Sequence, residues 1–284
     1  MRMKNPMQLD SGSAPMPDVQ ARADLRQLPI QRVGVTALRY PLQVVVAGQV
    51  QPTVGTWTLD VGLHADQKGA HMSRLVAWLD ALSLRGQALT EASLRSEIDS
   101  MLRMLEADSG SIEVRFPFFI RKSAPVSGMQ SLMEYDGVWL ARSQAGVTGI
   151  AMQAIVPVKS LCPCSKEVSD DGAHNQRSHI NLRIGLKASV DWSELVRFAE
   201  DQASSELWAL LKRTDEKWVT ERAYAHPKFV EDLIRDVALA LHADARIGSY
   251  RVMVTNFESI HAHDVYAVIE HHKNGALSAS LTDG

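Results

Sequence analysis

Apolar and polar positions alternate with a period of two along several stretches of the chain, and with helical spacing along others. Gln31 to Val46 and Thr53 to Leu63 carry β-branched, strand-like runs around a Gly48 turn, with Leu59, Val61 and Leu63 on one side of the second run. This predicts a hairpin. From Met72 the spacing changes: Met72, Leu75, Val76, Leu79 and Leu82 form a helical stripe. Thr90 can then cap a second helix that turns Leu94, Ile98, Met101, Leu102 and Leu105 inward. Ile112, Val114 and Phe116 alternate as a strand, with Leu132 to Arg142 as its partner.

The second half is expected to repeat this order. Gly149 to Val158 and Ser178 to Leu186 are strand-like, and Ile180, Leu182, Ile184 and Leu186 alternate strictly. Asp191 is expected to cap a long helix lined by Trp192, Leu195, Ala199, Ala203, Leu207, Leu210 and Leu211. Pro227 is placed in the first turn of another helix, which bears Val230, Leu233, Ile234, Val237 and Leu241. Tyr250 to Phe257 and Asp264 to Glu270 are the last strands. The predicted class is α+β: an antiparallel four-stranded sheet with two helices on one face, made twice, with the join near Gly146. Residues 1–29, rich in Pro, Ser, Asp and Gln, form an N-terminal arm; residues 30–146 form the first module and residues 147–284 the second. A short echo, GAHMSR at 69–74 against GAHNQR at 172–177, agrees at four of six positions and suggests duplication. Sheet edges left open in such a unit call for closure against other copies, so a homo-oligomer is expected.

Composition narrows the function classes. With 45% hydrophobic and 22% charged residues, the 284-residue chain can build an ordinary globular core. A formal net charge of −3 gives no basic footprint for nucleic acid, so none is expected as a partner. No run reaches the ~18 apolar residues of a membrane span, so no membrane is expected either. Two cysteines make no disulfide framework, and a cytoplasmic, reducing setting is the expectation.

Both cysteines fall in SLCPCSKEVSDDGAHNQRSH at 160–179, as Cys162 and Cys164 around Pro163. That spacing by itself leaves a metal site, a pair of small buried residues and a strained disulfide open. His174, twelve residues after Cys162, favours metal ligation, and Glu216, Glu221, Glu231, His226, His261 and His263 offer further ligands or bases. His261 and His263 form an H-x-H just before a strand, where alternation puts both rings on one side.

The 160–179 stretch closely resembles the signature of GTP cyclohydrolase IB, a metal-dependent family of the tunnelling-fold superfamily. VGTWTLDV at 54–61, DQKGAHMSR at 66–74, DEKWVTERAYAHPKFVED at 215–232 and SIHAHD at 259–264 extend the resemblance from about Pro29 to His271. It implies two fused tunnelling-fold modules per chain, a homotetramer, and conversion of GTP and water to 7,8-dihydroneopterin triphosphate and formate, the first step of tetrahydrofolate synthesis. It implies Cys162, His174 and Glu216 as ligands of a divalent metal, Zn, Mn or Fe, which activates water for attack on purine C8. Cys162 is favoured over Cys164 as the ligand. Glu231 is implied as the anchor of the purine edge, and His261 with His263 as the acid and base of later proton transfers. For the triphosphate the cationic candidates are Lys166, Arg177, Lys68 and Arg74, and the last two are suited to act on a neighbouring chain's substrate. The nitrile reductase of queuosine synthesis, another tunnelling-fold enzyme, fits these blocks poorly. A non-catalytic oligomer that stores metal would have no use for the purine anchor.

Overall fold

The computed structural model describes residues 19–20 and 22–273. Fourteen elements follow in the order β1 (Ile30–Val46), β2 (Gln49–Leu63), α1 (Met72–Arg85), α2 (Glu91–Leu105), β3 (Ser109–Ser123), β4 (Gln130–Gln144), β5 (Val147–Leu161), α3 (Pro163–Val168), β6 (Asn175–Leu186), α4 (Trp192–Glu200), α5 (Arg213–Ala225), α6 (Val230–Ala243), β7 (Ile247–Asn256) and β8 (Val265–His272). The eight strands form one antiparallel sheet in the order β1-β2-β3-β4-β5-β6-β7-β8. The two four-stranded sheets expected from sequence are thus a single sheet, because β4 pairs with β5 from Gln144↔Val147 to Asp136↔Ile155. Ala145 and Gly146 make that possible: both have positive φ (52° and 77°), the conformation of a tight two-residue hairpin whose twist matches the strands it joins. Ala47 and Gly48 turn β1 into β2 in the same way, with φ of 51° and 73°.

Alternation places Ile112, Val114, Phe116 and Phe118 of β3 in one buried layer with Leu75 and Leu79 of α1, Leu94 and Ile98 of α2, Leu195 of α4, and Leu233 and Val237 of α6. Trp192 of α4 packs edge-on against Phe116 and Trp139, with ring centroids 5.2 Å away in each case. The approach needs Gly137, where a Cβ would meet Phe116, Phe118 and Trp192 at 3.1 Å. A helix of the second half therefore closes over strands of the first, giving a shared core.

Three local expectations are corrected. The helix from Asp191 stops at Glu200 rather than running to Leu211. Pairing of β4 with β5 ends at Ile155, so the outer edge of β5 needs other partners beyond it. The chain after α4 supplies them: Lys159 and Ser205 exchange backbone hydrogen bonds, and Leu161 N donates to Ser204 Oγ at 3.2 Å. Pro227 lies ahead of α6, whose cap is Phe229. The GAHMSR and GAHNQR echoes also occupy different places, the first entering α1 and the second entering β6.

Of the predicted arm, residues 1–18 and 21 lie outside the described residues. Residues 22–29 run beside the β2–α1 loop, where Asp24 N donates to Asp66 O at 2.8 Å. Among the described residues no helix is long and apolar enough to cross a membrane.

Candidate functional site

At the end of the sheet where β5 and β7 finish and β6 and β8 begin, a cleft of about 630 Å³ opens. Cys162, Cys164, His174, Gln176, Lys228, Glu231, Asn256, Glu258, His261 and His263 line it, with Phe229 and Tyr266 among the apolar walls. The opening motif folds to bring its two ends together. Cys162 N donates to His174 O at 3.1 Å, and Ser165 Oγ bridges the loop by accepting from His174 N and donating to Cys162 O. Cys162, with extended backbone, caps α3, Pro163 opens that helix, and Cys164 stands in its first turn. Cys162 Sγ accepts from Ser165 N at 3.5 Å, and both thiols are free.

A buried polar ladder supports the cleft floor. Ser160 Oγ donates to Ser178 Oγ, which donates to Asn256 Oδ1, each at 2.7 Å. His261 and His263 stack with centroids 5.3 Å apart and planes 21° off parallel. His174 meets His261 edge-on at 6.4 Å. Glu231 sits exposed in the first turn of α6, where the helix dipole favours a carboxylate. His179, beside the site on β6, stacks edge-on against Phe257 at 4.8 Å. Burial and then the Arg177 charge push its pKa below the ordinary imidazole value.

Cys162, His174, Glu231, His261 and His263 thus share one cleft, and the other candidates stand off its wall. Glu216 is exposed in the first turn of α5. Its neighbour Asp215 is buried and accepts from Val126 N, Ser127 N, Ser127 Oγ and Lys212 N, tying α5 to the β3–β4 turn. Lys166 Nζ donates to Tyr224 O at 2.6 Å and lies 4.3 Å from the centre of that ring. Arg177 is exposed on β6. Lys68 and Arg74 flank the start of α1, beside the end of β2. The register Val61↔Gly110, Ser109↔Gln144 and Gln144↔Val147 sets that point at the same end of the sheet as the start of β5. Fifteen residues of β5, at about 3.3 Å each, separate it from Cys162.

Gln176, Lys228, Asn256 and Glu258 were not singled out from sequence. Lys228 lies inside the KFVED block, and a cation three residues before Glu231 was the available signal. Among the described lining residues it is the only Lys or Arg. Its Nζ pairs with Asp236 at 2.6 Å. Donor chemistry at the cleft suits a divalent metal in part, since a thiol and an imidazole lie on one wall. Among the described residues, however, no three His, Cys, Asp or Glu side chains converge as a metal site.

The sequence pattern of the family described as type I GTP cyclohydrolase folE2 matches residues 16–267. GTP cyclohydrolase FolE2 of Methylibium petroleiphilum is 56% identical over 283 residues, covering 90% of this chain and 95% of that protein. The protein of the same name in Burkholderia multivorans is 56% identical over 262 residues, with 92% and 96% covered. Among solved structures, uricase from Arthrobacter globiformis superposes with a TM-score of 0.53 at 10% identity, covering 92% of this chain and 98% of that one. A hyper-thermostable AgUricase mutant gives 0.54 at 8% identity, covering 87% and 93%. At such identity the likeness speaks to fold alone, and it is in keeping with the tunnelling fold expected from the sequence motifs. The chain belongs to the type I GTP cyclohydrolase family of the FolE2 kind.

Proposed function

We propose that this chain converts GTP and water to 7,8-dihydroneopterin triphosphate and formate, the first step of tetrahydrofolate synthesis, and that it does so with a divalent metal. Family membership supports the substrate. The observation that carries the site is the convergence of Cys162, His174, Glu231, His261 and His263 on one cleft.

Cys162 and His174 would hold the cation. A zinc, manganese or iron ion there would supply Lewis acidity and an activated water for attack on purine C8. Glu216 completes the ligand set in this reading, although it is not among the residues that line the cleft. Glu231 accepts hydrogen bonds from guanine N1–H and the 2-amino group, a donor pair that adenine lacks. His261 and His263, stacked at the mouth, carry protons during ring opening and rearrangement of the ribose. Lys228 is placed to meet the triphosphate from the cleft wall. Lys68 and Arg74, at the opposite end of the sheet, serve the substrate of a neighbouring copy, and Lys166 and Arg177 are kept as further candidates for the triphosphate.

The arrangement is that of two fused modules, residues 30–146 and 147–284, closing into a homotetramer. Edge strands β1 and β8 bound the sheet, and Tyr266 and Val268 of β8 are exposed. The proposed setting is the reducing cytoplasm, where both thiols would persist. Nucleotide binding tests the anchor: Glu231→Gln should keep the fold and lose GTP affinity by at least tenfold, and unchanged GTP affinity would refute the assignment.

A further inference from the structure

His174 is held by more than its backbone. Its Nδ1 lies 3.2 Å from Gln176 Oε1 and 3.4 Å from Ser259 Oγ. Gln176, the second residue of β6, is 9% exposed. Its other amide atom, Nε2, donates to Glu258 Oε1 at 3.4 Å. The chain Glu258–Gln176–His174 thus joins the start of β6 to the β7–β8 loop.

The direction of this chain follows from donor and acceptor types. An ionised carboxylate only accepts, so the amide of Gln176 must turn its NH₂ to Glu258 and its oxygen to His174. An amide oxygen also only accepts, so the nitrogen facing it must carry the proton. A neutral imidazole then has its free lone pair on Nε2. The hydroxyl of Ser259 can donate or accept, so it is compatible with this tautomer and the Gln176 amide decides it. We propose that Gln176 is a positioning residue that fixes His174 in the Nδ1–H tautomer and so presents Nε2 as the electron-pair donor of the cleft. This rests on the reading of His174 as a metal ligand, where an imidazole must offer an unprotonated nitrogen. Gln176 touches neither substrate nor metal in this role.

The test uses the metal-free full-length chain labelled with ¹⁵N at histidine, with the His174 signals assigned by their loss in His174→Gln. Solid-state ¹⁵N spectra at neutral pH should show a pyrrole-type Nδ1 and a pyridine-type Nε2 in the wild-type protein. Gln176→Leu should revert His174 toward the mixture of an unconstrained imidazole, and Gln176→Glu, which keeps an acceptor, should retain the wild-type tautomer. Zn²⁺ affinity, measured by competition with a chromophoric chelator, should weaken about 10- to 100-fold in Gln176→Leu. A merely structural role would lower the melting temperature and leave the tautomer unchanged. The proposal is overturned if wild-type His174 carries its proton on Nε2, a result that needs no variant to fold, or if Gln176→Leu leaves the tautomer as it was. If the tautomer behaves as stated while His174→Gln binds Zn²⁺ as tightly as wild type, the ligand reading falls and the tautomer assignment stands.

Discussion

Lys122 and Glu200 form a buried ion pair that joins the two halves of the chain, with Nζ 2.7 Å from Oε1 and the two side chains 9% and 5% exposed. Lys122 comes from β3 and Glu200 from the last turn of α4. Tyr135 of β4 donates to the same carboxylate oxygen at 2.7 Å, and Leu207 O accepts from Lys122 Nζ at 2.8 Å. Burial pushes the Glu200 pKa up, against the opposing pull of Lys122. Lys122→Met should therefore destabilise the fold by about 3–5 kcal/mol, because it leaves a buried carboxylate without its cation. Adding Glu200→Leu should recover part of that loss. Denaturant titration of the two variants checks this, and additive losses would count against the coupling.

Asp215 and Ser127 make a second clasp, which orients the helix that carries Glu216. Burial alone would raise the Asp215 pKa, but hydrogen bonds from Ser127 Oγ and from the backbone of Ser127, Lys212 and Val126 overcome it and hold the carboxyl well below its usual 3.8. A depressed pKa contributes stability that is complete above the unfolded value and lost as pH falls toward the folded one. Asp215→Asn should lower the melting temperature at neutral pH. The gap to wild type should narrow as pH drops from about 5 to about 3. A gap that stays constant over that range would contradict the role of the charged form.

In the proposed reaction the stacked imidazoles of His261 and His263 would carry protons. Replacing either with Ala should lower kcat about 10²- to 10⁴-fold, with bound metal per chain unchanged. Metal analysis beside turnover separates the alternatives, since loss of metal would make the pair ligands instead.

Much of this fold was legible because burial follows a simple period. The buried row Leu59, Val61, Leu63 of β2 and the Thr90 cap of α2, whose Oγ1 accepts from Ser93 N, stand where alternation and capping chemistry place them. Helix α5 was not legible. Its sequence RTDEKWVTERAYA buries only Asp215, Val219 and Ala223, so no apolar stripe marks it, and it is held by the Asp215 clasp instead. The six-residue α3 is too short to show a period. Joining of the two sheets depends on the backbone of Ala145 and Gly146, which composition does not reveal. Within the site, Cys162 and His174 announce themselves by type and spacing. Gln176 and Glu258 do not, because they meet across 82 residues and only the fold brings them together.

The central claim is a metal-dependent cyclohydrolase. Metal-free protein should be incubated with GTP, alone and with Mn²⁺ or Zn²⁺, and both formate and the fluorescent neopterin left after oxidation and dephosphorylation should be measured. The account predicts equal amounts of pterin and formate that appear only with metal. A folded protein that yields neither product with any divalent metal would contradict it.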